Sequence, residues 1–228
     1  VCPWPALQTV AGQIVLRDAF MSSTFGGCVP RGGDGPRLLY VMGGYDSGFN
    51  ALASVEIFDP QTNSWTAGVA LPAARKWAAA AALEGKIYLV GGTFSSSKVE
   101  AFDPQAGAWA EVAPMPTGRE LLTAAVVDGR VYAIGGRSGG DCLSTVEAFD
   151  PQTGVWAALA PMPTARRLAG AAVLDGKIYV VGGVNGTTCL ATVEVYDPAT
   201  NAWSQAPPMG TARYSSGVAV LGGKLYAA

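Results

Sequence analysis

The apolar positions of this chain fall in short runs, each stopped by a pair of glycines. Leu39-Tyr40-Val41-Met42, Ile87-Tyr88-Leu89-Val90, Val131-Tyr132-Ala133-Ile134 and Ile178-Tyr179-Val180-Val181 lead into Gly43-Gly44, Gly91-Gly92, Gly135-Gly136 and Gly182-Gly183. Short apolar runs bounded by Gly predict buried strands. A second block, Val55-Glu56-Ile57-Phe58-Asp59-Pro60, recurs at 99–104, 146–151 and 193–198. It predicts a strand that ends at Asp-Pro, because Pro has no N–H for a central ladder. Seven residues after the aromatic of each block stands a Trp (Trp65, Trp109, Trp156, Trp203), which marks a third strand. A Pro-rich turn then closes on Arg75, Arg119, Arg166 and Arg213. An Ala-rich stretch comes next and runs into a tight turn at Glu84-Gly85, Asp128-Gly129, Asp175-Gly176 and Gly222-Gly223, which predicts a fourth strand.

These blocks keep one period. The Gly-Gly pairs step by 48, 44 and 47 residues, and the Trp and Arg positions each step by 44, 47 and 47. Four antiparallel strands in every such period predict a propeller blade. The double glycine followed by spaced aromatic and Trp residues resembles the kelch repeat, over residues 37–228. The expected fold is therefore all-β: a kelch β-propeller with four recognisable four-stranded blades, at about 37–75, 76–119, 120–166 and 167–213, plus a truncated fifth at 214–228, an incomplete ring. A WD-type propeller is set aside, because the chain has no His for a Gly-His pair and no Trp-Asp. Residues 1–36 carry no copy of the repeat, and Gly26 to Pro36, with two Pro and five Gly, make a poor strand.

Residues that recur in every blade are expected to serve the blade. The Gly-Gly pair should supply positive φ or a close backbone approach. The Trp and the preceding Phe or Tyr should fill the contact between sheets, so that Trp109→Ala would cost roughly 3–5 kcal/mol. Glu56, Glu100, Glu147 and Glu194 recur with the four Arg, and the expected role is structural ion pairing rather than a catalytic ring.

Composition narrows the chemistry. The chain has 228 residues, half of them hydrophobic and 14% charged, enough to bury a real core. A net charge of -2 gives no electrostatic footprint for nucleic acid. The mean hydropathy is +0.26, yet no uncharged apolar run reaches about 18 residues, so no membrane partner is expected. No basic flank precedes an apolar core at the N-terminus, so no leader is expected and a cytoplasmic location is. Cys142 and Cys189 sit in equivalent loops of neighbouring repeats, too far apart for a bridge, and are expected as free thiols. Asn185-Gly186-Thr187 matches a glycosylation sequon, read as a chance occurrence. Zero His removes Ser-His nucleophile pairs, His bases and His metal ligands together. No Cys-x-x-Cys and no phosphate-binding Gly-Lys-Ser/Thr is present. The non-repeating carboxylates Asp46, Glu111, Glu120 and Asp141 form no obvious pair. No catalytic residue, metal or cofactor is assigned, and the chain is expected not to be an enzyme.

Binding in a repeat protein belongs to positions that vary while the frame stays fixed. Two places vary: directly after each Gly-Gly (Tyr45, Thr93, Arg137, Val184), and just after each Arg (Lys76-Trp77, Glu120-Leu121, Arg167-Leu168, Tyr214-Ser215). In kelch propellers that act as substrate receptors, such positions look out from one rim and contact acidic or other peptide segments. The resemblance therefore implies a binding rim of Tyr45, Lys76, Trp77, Arg137, Arg167 and Tyr214, with Arg137 and Arg167 placed to hold one carboxylate between them. It implies a protein or peptide partner, and substrate recognition for a cullin-type ubiquitin ligase through a domain outside this stretch. A structural or cytoskeletal kelch scaffold, and a sugar-active propeller such as a mutarotase, are the alternatives.

Overall fold

The computed structural model describes residues 38–228, and within them every regular element is a strand. The first sheet has three: β1 (Leu39–Met42), β2 (Val55–Asp59) and β3 (Ser64–Ala67). The second runs β4 (Ala79–Leu83), β5 (Lys86–Val90), β6 (Val99–Asp103) and β7 (Ala108–Val112). The third comprises β8 (Thr123–Val127), β9 (Arg130–Ile134), β12 (Val146–Asp150) and β13 (Val155–Ala158), with a short hairpin of β10 (Arg137–Ser138) and β11 (Asp141–Cys142) after its Gly-Gly. The fourth repeats this with β14 (Gly170–Leu174), β15 (Lys177–Val181), β18 (Val193–Asp197) and β19 (Ala202–Ala206), and its hairpin is β16 (Val184–Asn185) and β17 (Thr188–Cys189). A last pair, β20 (Val218–Leu221) and β21 (Lys224–Ala227), forms a two-stranded sheet.

Each four-stranded sheet is an antiparallel meander in chain order, for example β4-β5-β6-β7. Its register matches equivalent repeat positions: Leu89 faces Glu100, Ala133 faces Glu147 and Val180 faces Glu194. The strand before the Asp-Pro turn is thus central, and the Trp strand lies at the outer edge. A fourth strand expected in the first blade falls before Leu38, outside the described residues. The two rim hairpins were not foreseen; each grows from a loop that carries no strand-like alternation.

The core lies between sheets. Tyr88 and Phe149 meet at 5.9 Å, and Tyr132 and Tyr196 at 6.1 Å, each pair joining adjacent blades. Beneath them Phe149 tilts onto Trp156 at 5.3 Å, and Tyr196 onto Trp203 at 5.1 Å. The indoles also reach backward: Nε1 of Trp156 donates to Ala113 O and that of Trp203 to Ala160 O, both at 2.8 Å, and that of Trp109 to Val69 O at 3.2 Å. Trp65 tilts onto Phe58 but is exposed, whereas Trp109, Trp156 and Trp203 are packing and staple together. These three indoles are only partly buried, so less is lost on truncation than for a fully buried ring.

The double glycine does both of its expected tasks. Gly91 has φ +69°, and a Cβ there would stand 2.5 Å from Arg119 O; Gly92 has φ +105° and would meet Lys76 O at 2.8 Å. Positive φ recurs in the other Gly-Gly pairs, and the close approach to a carbonyl recurs at Gly43, Gly135, Gly136, Gly182 and Gly183. Cys142 and Cys189 are both free, as expected.

Two substitutions test these roles by urea unfolding. Trp156→Ala is expected to lower stability by about 2–4 kcal/mol, since it removes a half-buried ring and the staple to Ala113. Gly91→Ala is expected to cost about 2–5 kcal/mol, because it combines left-handed strain with a backbone clash.

Candidate functional site

The rim is built by the residues just after the repeated arginines, and each arginine works on two sheets at once. Its carbonyl accepts the N–H of the second glycine of the preceding sheet: Gly44 to Arg75 at 2.8 Å, then Gly92 to Arg119, Gly136 to Arg166 and Gly183 to Arg213 at 2.9 Å. Its guanidinium enters the following sheet. Arg75 Nη2 lies 2.8 Å from Glu100 Oε2, Arg119 Nη2 2.6 Å from Glu147 Oε2, and Arg166 Nη2 2.9 Å from Glu194 Oε1. Arg119 Nη1 also donates to Gly135 O and Thr145 O, and Thr117 Oγ1 donates to the other Glu147 oxygen at 2.7 Å. All three pairs are buried. Burial pulls these guanidinium groups below their ordinary pKa, and the facing carboxylate opposes that pull. The recurring charges are therefore structural clasps, as expected. Glu56 and Arg213 have no ion-pair partner among the described residues; Arg213 Nη1 donates to Ala227 O instead.

Directly beyond the clasps runs a backbone belt. Leu121 N donates to Trp77 O at 2.8 Å, Leu168 N to Leu121 O at 2.9 Å and Ser215 N to Leu168 O at 2.7 Å, linking one sheet to the next. The four residues take φ values of +61°, +56°, +55° and +53°. None is Gly or Asn, so nothing in their identity signals a left-handed backbone. Repeat phase alone could have marked them, since all four lie two positions after an Arg.

The six expected rim residues divide into groups. Tyr45, Lys76 and Trp77 form one cluster, joined by Phe49. Tyr45 stacks on Phe49 at 5.1 Å and meets Trp77 edge-on at 6.4 Å. Lys76 Nζ sits 4.5 Å from the Trp77 ring centroid and donates to Phe49 O at 2.7 Å. Asp46 folds the intervening turn by accepting from Gly48 N, Asn50 N and Asn50 Nδ2. Bonding to the Asn50 side chain holds its carboxyl below the ordinary value.

Arg137 is already occupied. It bridges Glu120 through backbone and side chain, and the Glu120 carboxylate accepts from both Arg137 Nε and Nη2. Glu120 is buried, so this pairing competes with any outside carboxylate for Arg137. Arg167 instead bridges Val184, its Nη2 lies 3.5 Å from Gly186 O, and it forms no ion pair among the described residues. The two variable positions of a repeat are thus paired across one sheet, Glu120 with Arg137 and Arg167 with Val184, with Lys76 and Thr93 related likewise through Thr93 Oγ1. Tyr214 is exposed at the last of these positions. Sequence reasoning missed Phe49 and Phe94 as rim features, since they stand five and two residues after their Gly-Gly pairs and have no counterpart in the other repeats. Glu120 holds one of the variable positions marked after an Arg, and only its pairing with Arg137 is not legible in the sequence. Among the described residues, no group of three or more His, Cys, Asp and Glu is placed to hold a metal, and no helix is long and apolar enough to cross a membrane.

Radial meanders joined by recurring backbone and Arg–Glu clasps define a β-propeller whose variable residues are collected on one rim. The family comes from direct comparison: the model of the KLHDC2/KLHL20/DRC7 kelch-repeats domain matches residues 34–228, and the chain belongs to the kelch-repeat family. Kelch-like protein 35 of Homo sapiens is 44% identical over 54 residues, and beta-scruin of Limulus polyphemus is 41% identical over 54 residues. Each match covers 24% of this chain but only 9% and 6% of those two proteins. In structure, the chain resembles that of YjhT, with a TM-score of 0.74 at 19% identity, over 90% of this chain and 71% of the other.

The clasp carries its own test. Arg119→Met leaves Glu147 buried and uncompensated, and is expected to cost about 3–5 kcal/mol by urea unfolding. Adding Glu147→Leu is expected to recover most of that loss, because the stranded charge is then gone.

Proposed function

We propose that this chain is a protein-recognition module that grips a partner with the Gly-Gly rim, and that the whole protein presents that partner as a substrate to a cullin-type ubiquitin ligase in the cytoplasm. The observation that carries the reading is the division of labour between frame and rim. Clasp, belt and staple recur from blade to blade at equivalent positions, whereas the rim places a different pair in each blade: Lys76 with Thr93, Glu120 with Arg137, Arg167 with Val184. A surface that varies on a constant frame is suited to specific contact. Six of its residues, Tyr45, Lys76, Trp77, Arg137, Arg167 and Tyr214, are aromatic or cationic, and aromatic and Arg side chains are the types that dominate interface energetics. Arg167, which forms no ion pair among the described residues, is the residue suited to a partner carboxylate, and Trp77 and Tyr214 supply apolar area on the same rim. Kelch-like relatives support the recognition role; the ligase role extends it to the longer protein.

The test uses the full-length protein in its native cells. Arg167 and Tyr214 each stand one residue before a partner in the Leu168–Ser215 hydrogen bond. Arg167→Glu and Tyr214→Ala are each expected to reduce recovery of the partner by roughly tenfold, with an unchanged melting temperature. Co-purification of a cullin supports the ligase role against a structural scaffold. Partner recovery unchanged in both variants, or turnover of a free sugar by the wild-type protein, would overturn the reading.

A further inference from the structure

Phe94 is not explained by the frame around it. It is 94% exposed, the most exposed large hydrophobic side chain among the described residues, and its backbone lies at φ +62°. A bulky residue rarely adopts that conformation without something in return. Phe49, at φ +61°, gains a stack on Tyr45, and the residues of the belt gain hydrogen bonds between sheets. Among the described residues, the Phe94 ring receives no comparable return.

The loop that carries it is nevertheless well held. Thr93 N donates to Lys76 O at 2.9 Å, Ser96 N to Gly92 O at 3.0 Å, and Arg119 N to Ser96 O at 3.1 Å. Ser95 Oγ reaches Arg137 O at 3.4 Å. Bonds on both sides of Phe94 thus present its ring to solvent from a held backbone, so that the ordering cost of the loop is met before any partner arrives. Lys76 ties this loop to the Phe49 loop, since its Nζ donates to Phe49 O while its carbonyl accepts from Thr93 N.

We propose that Phe94 is the anchor of the interface on this rim, and that it inserts into an apolar pocket on a folded partner domain. The inference rests on the rim reading above and specifies the partner's shape. A protruding ring offers about 150–250 Å² for burial only if the other side is concave. A short linear peptide has no such pocket, whereas a folded surface does.

The experiment places a photo-crosslinking phenylalanine analogue at position 94 of the full-length protein, with positions 167 and 214 on the rim and exposed Val155 on an outer strand for comparison. Crosslinked residues are mapped by mass spectrometry after irradiation in native cells. Expected are crosslinks from position 94 to apolar side chains lining a pocket of a folded domain. Phe94→Ala is expected to lower recovery of that domain by roughly tenfold while leaving the melting temperature unchanged or higher. Crosslinks into an unstructured segment, into another copy of this chain, or no stronger than from position 155 would overturn the anchor. If positions 167 and 214 crosslink and 94 does not, the rim reading stands and the anchor alone falls. If none of the three does, both fall.

Discussion

The structure depends on a single turn, repeated, in which an arginine joins two sheets at once. A backbone carbonyl accepts from the second glycine behind it, and the same residue's guanidinium pairs with a buried carboxylate ahead of it. Neither half stands without the other. A Cβ at Gly91 would push Arg119 O away, and without that carbonyl the guanidinium would lose its aim at Glu147. Burying these ions is unfavourable by itself, and the pair is retained in a geometry where several carbonyls and the Thr117 hydroxyl share the charge. The arrangement sets the distance and tilt between sheets before any side chain of the aromatic core is counted.

The rim inherits its rigidity from that turn. Because each Arg is held on both sides, the next two residues have little freedom, and the chain enters a left-handed conformation to link sheet to sheet through Trp77, Leu121, Leu168 and Ser215. Side chains next to the belt are then displayed without further ordering. Lys76 over Trp77 and Arg137 against Glu120 are internal satisfactions of charge, and they make the rim less uniformly basic than its composition implies. On the proposed reading, a partner meets apolar area, the guanidinium of Arg167 and the exposed ring of Phe94. That balance favours recognition by shape with a local electrostatic contact over capture of a strongly acidic segment.

Most of the fold was legible in the chain. The phase of Gly-Gly, Val-Glu-x-Phe/Tyr-Asp-Pro, Trp and Arg places the strands within a residue or two and gives each its position in the blade. It does so because every one of these residues answers a local demand: positive φ, a strand end, an outer ring, a clasp. The candidate site was legible only in outline. The two variable positions of each repeat can be read from the phase, yet their mutual pairing cannot. Glu120 reads as an isolated carboxylate in sequence, and is the buried partner of Arg137 in the structure. Arg137 and Arg167 read as one pair of jaws, and belong to two different sheets.

The sequence by itself therefore determined the repeat, the strand order and the absence of histidine chemistry, because periodicity and composition are properties of the chain before it folds. Tertiary structure alone decided which charges are already neutralised, where left-handed backbone falls on residues such as Leu121, and that Phe94 faces outward. Those outcomes depend on neighbours 17 to 47 residues away, as in Glu120 with Arg137 and Leu121 with Leu168. Only closure of one sheet against the next brings such residues into contact.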